Sequence, residues 1–298
     1  MISRISSFAH SGAMLAASLK VQARLADQQT QTASGVKSQT YGGMATSTAS
    51  VLTLSNQSAR LAADNTAASS AAAYVQASYS AVGEIADLAT TIKTQLASMM
   101  SSSTLDAATT SQYAADWLTD LQALLNSRLG DTYLFSGQST DVAPVDFTAA
   151  GYDPTTAIDT TYYQGAAAGR TYSSSEGQTL GLSVSADASA FEQLARAIAT
   201  VAANPTDASA IASAYTLAGT ALTGVGTLQE TVAIQASSLE ATAAHNTAKI
   251  DAIDSLVSTL KDADLTQAAV LTTQYQTQLE ALFSMISTLS SLSLTKYL

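Results

Sequence analysis

Apolar residues recur at both ends of the chain at intervals of three and four. In the last stretch, Asp262–Leu298, they fall at Leu265, Tyr275, Leu279, Leu282, Ile286 and Leu289, which from Tyr275 onward is the stripe of an amphipathic helix. At the other end Ile5, Phe8, Leu15, Leu19, Gln22 and Leu25 keep the same beat, with small or polar residues between them. An apolar stripe on a terminal helix needs a partner, so the two terminal helices are predicted to pair.

Between them the pattern predicts more helix, interrupted once. The first helix runs from Ile5 to about Ser34 and stops at Gly35, a natural C-cap, and Gly42-Gly43 extends the break. From Ala45 to about Met100 a second helix carries Val75, Tyr79, Val82, Ile85, Ile92, Leu96 and Met99 near heptad spacing, the mark of a coiled-coil-like rod. Thr104-Leu105-Asp106 reads as a helix start, and Tyr113, Trp117, Leu121, Leu124 and Leu125 form the next apolar face up to Gly130; Trp117, the single tryptophan, is read as a core residue. After the interruption Phe191, Leu194, Ile198 and Val201 resume the helical pattern. A restart follows with Asn204 as N-cap, Pro205 at the first helical position and Asp207 in the first turn. One or two long helices then run through Ile211, Tyr215, Leu217, Leu222, Val225, Leu228, Val232 and Leu239, with Gly219, Gly224 and Gly226 expected to loosen or kink them.

The interruption is a change of texture at Gly130. Between there and Asp187 lie two of the three prolines and seven of the fifteen glycines, and TYLF, TTYYQG, RTYSS and LGLSVSA read as short strands between turns. The predicted fold is therefore mainly α: an elongated rod of long helices with a coiled-coil-like terminal helix pair, plus a small β-rich inserted domain. Residues 1–40 with 250–298 form the terminal inner domain, 41–130 with 188–249 the helical rod, and 131–187 the insertion, projecting sideways. Abundant Ala, Ser and Thr, few prolines and only 6% aromatic residues agree with long helices packed through small side chains.

Charge narrows the function classes. A net charge of −11 argues against a nucleic-acid or anionic-membrane partner. Residues 1–40 are net +3, residues 250–298 net −3, and residues 131–187 net −6 with Arg170 the only base. Opposite signs on the terminal helices would steer their pairing more than strengthen it. The chain has no cysteine, hence no disulfide frame, thiolate metal site or cysteine nucleophile. No run approaches the ~18 apolar residues of a membrane span. The N-terminal stretch does not read as a secretory signal, so an exported chain would need another route.

Little catalytic chemistry is legible. His10 and His245 lie on opposite arms without metal-binding spacing, no serine stands in a G-x-S-x-G elbow, Gly224-Val225-Gly226 lacks the setting of a dinucleotide loop, and Asp262 with Asp264 reads as helix-start acid. No catalytic, cofactor-binding or metal residue, no cofactor and no small-molecule substrate is predicted, and the chain is not expected to be an enzyme.

Three phrases resemble a family. The terminus, ending in Leu292-Ser293-Leu294 and Tyr297-Leu298, resembles the carboxy-terminal signature of bacterial flagellins and flagellar hook-associated proteins. Arg4-Ile5-Ser6 and the phrase QQTQTASGVK, Gln28 to Lys37, look like the matching amino-terminal signature. Gly130-Asp131-Thr132-Tyr133-Leu134-Phe135-Ser136-Gly137 and Tyr162-Tyr163-Gln164-Gly165 are similar to phrases in the side domain of the hook-associated protein 3 branch, the hook-filament junction proteins. Where the family tends to carry an acidic phrase, this chain has Tyr41-Gly42-Gly43-Met44. The resemblance implies a structural, secreted component of the bacterial flagellum that connects hook to filament by axial stacking of its terminal helices in a homo-oligomeric ring. It also implies hook-associated protein 1 and flagellin as axial neighbours, a flagellar export chaperone, and type III export to the cell exterior without a cleaved signal peptide. The assembly interface so implied comprises Ile5, Phe8, Leu15, Leu19, Leu25, Tyr275, Leu279, Leu282, Ile286, Leu289, Leu292, Leu294, Tyr297 and Leu298. Flagellin itself shares the terminal signatures, and an adhesin or secretion-tip rod with a binding side domain is a further alternative.

Overall fold

Proline is nearly absent from the long Ala-rich runs, so nothing interrupts helix there, and Ser and Thr, weaker helix formers than Ala, return their hydroxyls to carbonyls one turn back, as Ser69 does to Asn65 and Thr90 to Ala86. The computed structural model describes residues 2–155, 158–182 and 184–294, and their side chains except at residues 2–9, 11, 45 and 289–294. The elements are α1 (Ile2–Ser34), a 3-10 segment (Tyr41–Ser47), α2 (Thr48–Ser101), α3 (Ala107–Leu125), β1 (Arg128–Leu129), β2 (Thr132–Tyr133), β3 (Thr171–Ser173), β4 (Thr179–Gly181), α4 (Ser189–Ala203), α5 (Ala208–Lys261) and α6 (Leu265–Leu294). The fold is mainly α with a small β part. Two compact units divide it: residues 1–59 with 250–298, and residues 60–249.

The second unit is built on α2 and α5. Buried residues recur along α2 at Val75, Ser78, Val82, Ile85, Ala89, Ile92, Leu96 and Met99, and along α5 at Ile211, Ala214, Ala218, Ala221, Val225 and Val232, a period of three and four on both. As the α2 partner advances from Asn65 to Gly83 to Lys93, the α5 partner retreats from Thr247 to Gln229 to Gly219, so the helices run antiparallel in one register. Alanines stand at half of these α5 positions. Gly224 lets α5 approach α4 closely, since a Cβ there would stand 2.8 Å from that of Ala190. Gly219, Gly224 and Gly226 sit within one uninterrupted α5.

Helices α3 and α4 pack on each other and complete this core with Trp117, Leu121, Leu125, Phe191, Leu194, Ile198 and Val201. Asp106 caps α3 by accepting a 2.7 Å hydrogen bond from the Thr109 N–H. The α4–α5 turn departs from the sequence expectation. Asn204 closes α4 as its C-cap, and Asp207 starts α5, taking the N–H and hydroxyl of Ser209 at 2.8 Å each. Proline blocks the helix at 205, and the first carboxylate placed to reach a free N–H beyond it is Asp207.

The insertion between α3 and α4 contains two antiparallel hairpins, β1–β2 and β3–β4, turned at Gly130 and Gly177, whose φ values are 60° and 85°. TTYYQG and most of LGLSVSA form no strand among the described residues; Tyr163 makes only an isolated bridge to Val145. Side chains replace ladder bonds here. Asn126 both donates to the Val145 carbonyl and accepts its N–H, each at 2.9 Å, and the Tyr162 hydroxyl donates to the Ala186 carbonyl at 2.8 Å. Phe147, Tyr152 and Tyr162 cluster with ring centroids 5.1 to 5.6 Å apart, and Phe135 meets Phe191 of α4 edge-on at 5.8 Å.

Candidate assembly interface

The first unit is assembled around one corner. Gly35, at φ 74°, ends α1 and donates to the Gln31 carbonyl at 2.8 Å; the next residue, Val36, forms an antiparallel bridge with Asp262. Lys37 N–H donates to Lys261 O at 2.8 Å and Ala263 N–H to Gly35 O at 2.9 Å. The Lys37 ammonium reaches the Leu260 carbonyl at 2.9 Å, a cation at the negative end of α5. Asp264 then opens α6 by accepting the Gln267 N–H at 3.0 Å. Helices α1 and α6 depart from this corner in opposite chain directions and pack as an antiparallel pair. Nearby, Val51 and Ile253 are buried, and the Ser58 hydroxyl donates to Asp254 at 3.1 Å.

The seam of the pair is thin. On α1 the buried and half-buried positions among the described side chains are Met14, Ser18, Val21, Leu25, Gln28 and Gln31; on α6 they include Ala268, Tyr275, Leu279, Leu282 and Ile286. Only Ser18, 1% exposed, and Ala268, 3% exposed, are fully buried among the described side chains of the two helices. Ser18 returns its hydroxyl to the Leu15 carbonyl at 2.8 Å, so it can sit in the seam without a partner from α6.

The residues read from the sequence therefore divide. Leu25, Tyr275, Leu279, Leu282 and Ile286 are half-buried on the seam spacing. Leu15 and Leu19 lie one position out of step with Ser18 and Met14 and are 56% and 58% exposed. Leu265, Phe283 and Met285 of α6 are exposed too. The side chains of Ile5, Phe8, Leu289, Leu292 and Leu294, and the whole of Tyr297 and Leu298, lie outside the described residues. Met14, Ser18, Val21, Gln28 and Ala268 were not singled out by sequence, because a seam of small and polar side chains carries the helical period but not its hydrophobicity.

No family model matches the chain, and no curated protein matches it. Solved structures do. The crystal structure of FlgL from Bacillus cereus superposes with a TM-score of 0.55 at 12% identity, over 70% of this chain and 99% of that one. A putative flagellar hook-associated protein from Vibrio parahaemolyticus also gives 0.55 at 12% identity, over 72% of this chain and 96% of the other. The chain has a flagellar hook-associated protein fold.

Within this hook-associated fold no ion pair joins α1 to α6 among the described residues, despite their opposite net charges. His10 and His245 are exposed, and no group of three His, Asp or Glu side chains among the described residues could hold a metal ion. No described helix is long and apolar enough to cross a membrane.

Proposed function

We propose that the chain is a structural component of the bacterial flagellum, a hook-filament junction protein whose terminal helix pair stacks axially in a ring of identical copies. Its axial neighbours are hook-associated protein 1 and flagellin. An export chaperone holds it before passage through the flagellar type III apparatus to the cell exterior. The fold supports the flagellar assignment, and the exposed terminal leucines support the stacking. Leu15 and Leu19 face water while a serine occupies the adjacent seam, an arrangement that leaves the larger apolar side chains of α1 for a partner. The interface then comprises the seam residues Leu25, Tyr275, Leu279, Leu282 and Ile286, the outward Leu15 and Leu19, and the stripe continuing through Ile5, Phe8, Leu289, Leu292, Leu294, Tyr297 and Leu298.

Residues 1–40 with 250–298 act in this reading as the inner domain, 41–130 with 188–249 as a surrounding helical shell and 131–187 as the outer domain. Immunogold labelling of isolated flagella tests the assignment: a single band between hook and filament is expected, whereas label along the filament would make the chain a flagellin. Leu15→Ser with Leu19→Ser is expected to leave the circular dichroism of the free chain unchanged while reducing incorporation about tenfold or more, the loss of two buried leucine contacts. Undiminished incorporation would remove the exposed leucines from the interface.

A further inference from the structure

The seam between α2 and α5 changes character near one end of the second unit. From Ala68 onward α2 contributes mostly aliphatic residues and alanines, and α5 does so up to Leu239. At the next levels stand Asn65 and Asn246. Asn246 is 4% exposed and its Nδ2 has no hydrogen-bond partner among the described residues; the Oδ1 of Asn65 is likewise buried without one among them, while its Nδ2 donates to the Thr247 hydroxyl at 3.0 Å. Buried amide groups left half-satisfied oppose closure of the seam at this level.

The same level is tied from outside by the tip of the β3–β4 hairpin, whose Ser175 lies 111 residues from Asp64 in sequence. Ser175 gives both its N–H, at 3.0 Å, and its hydroxyl to the Asp64 carboxylate of α2, and the Tyr172 hydroxyl donates to the Asp64 carbonyl at 3.4 Å. The neighbouring Glu176 takes the Lys249 ammonium of α5 on both oxygens, at 2.6 and 2.7 Å. Asp64 and Lys249 belong to the two helices at the level of the Asn65–Thr247 hydrogen bond, so two adjacent hairpin residues hold one helix each.

We infer that the β3–β4 hairpin is a clasp that holds shut a weak polar level of the α2–α5 pair, so that displacing the hairpin tip opens the helices locally there. The insertion and the helix pair are then coupled through Ser175 and Glu176: whatever binds or moves the hairpin is felt in α2 and α5. The ion pair is partly open to water, its side chains 32% and 46% exposed, so salt weakens the clasp.

Amide hydrogen exchange on the full chain tests this. Ser175→Ala with Glu176→Gln is expected to speed exchange about tenfold or more in segments 61–68 and 242–249, with no change in 85–99 or 211–225. Molar salt should reproduce part of that effect in the native chain and none in the Glu176→Gln variant. In an Asn65→Leu, Asn246→Leu background the clasp substitutions should leave exchange unaltered, because an aliphatic seam closes unaided. The inference is overturned if the clasp variant exchanges like the native chain, if protection falls throughout residues 60–249, or if the leucine background responds to clasp removal as strongly as the native seam.

Discussion

Glu192 shows how a single side chain can be set by residues distant in sequence. It lies on α4, 2% exposed, with Arg196 Nε 3.1 Å from its carboxylate, and its charge is felt by Tyr152 and Tyr162 of the insertion. Burial raises its carboxyl above the usual range, opposed by Arg196; burial also pushes the hydroxyls of Tyr152 and Tyr162 up. An acid whose folded pKa is raised disfavours the folded state once ionised. Its contribution is therefore lost as pH climbs from the unfolded toward the folded value. The turn and cap carboxylates Asp106, Asp146, Asp153, Asp159 and Asp207 work in the opposite sense: hydrogen bonds lower each, and the stability they add is lost as pH falls. Glu192→Gln removes the first effect and keeps the others. Its thermal midpoint at pH 7 is expected to equal or exceed that of the native chain, with a smaller relative advantage at pH 4; parallel midpoint-versus-pH curves for the two proteins would refute the assignment. Nothing local marks Glu192 in the sequence, where it is one more acid in the first turn of a helix.

The helices were legible because their period is local. Gly35 and Asp106 stop and start helices as read, and the heptad beat of Val75 to Met99 is the buried face of α2. Asn204 ends α4 rather than opening α5: Asn-Pro fits a helix opening as well as the end of the previous helix, and only the position of Asp207 decides. The insertion was less legible: β1 to β4 are two or three residues each, and its order comes from Asn126 gripping Val145 and from packed tyrosines, which no alternation of side chains reveals. Within α5 two glycines separate propensity from packing. Gly226 meets nothing within 4 Å, so Gly226→Ala is expected to stabilise the chain by about 1 kcal/mol through helix propensity alone. At Gly224 the new methyl would overlap Ala190, and Gly224→Ala is expected to destabilise by about 1–3 kcal/mol in spite of the same propensity gain. Urea denaturation of the pair reads both signs; two stabilised variants would mean that α4 and α5 separate without cost.

Across the whole molecule the two units differ in how much of their order they supply for themselves. The second has a continuous core from Ala68 to Leu239 with aromatic and aliphatic side chains from four helices and the insertion. In α1 and α6 the described seam fully buries only a serine and an alanine. Apolar burial contributes about 25 cal/mol per Å², whereas ordering each backbone residue costs about 1–2 kcal/mol. The sequence announced the stripes of this pair but merged two faces on α1, because Leu15 and Leu19 continue the beat of Ile5 and Phe8 while Met14, Ser18 and Val21 take the seam. A narrow seam with large apolar residues outside it should open readily in the free chain and close when a partner covers those residues. In dilute solution, amides of residues 14–30 and 268–286 are expected to exchange about a hundredfold faster than those of 85–99 and 211–225. Covering of Leu15, Leu19 and Phe283 in an assembled state should erase most of that difference. Equal protection of both regions in the free chain would mean that the α1–α6 pair is self-sufficient, and the exposed leucines would then need another explanation.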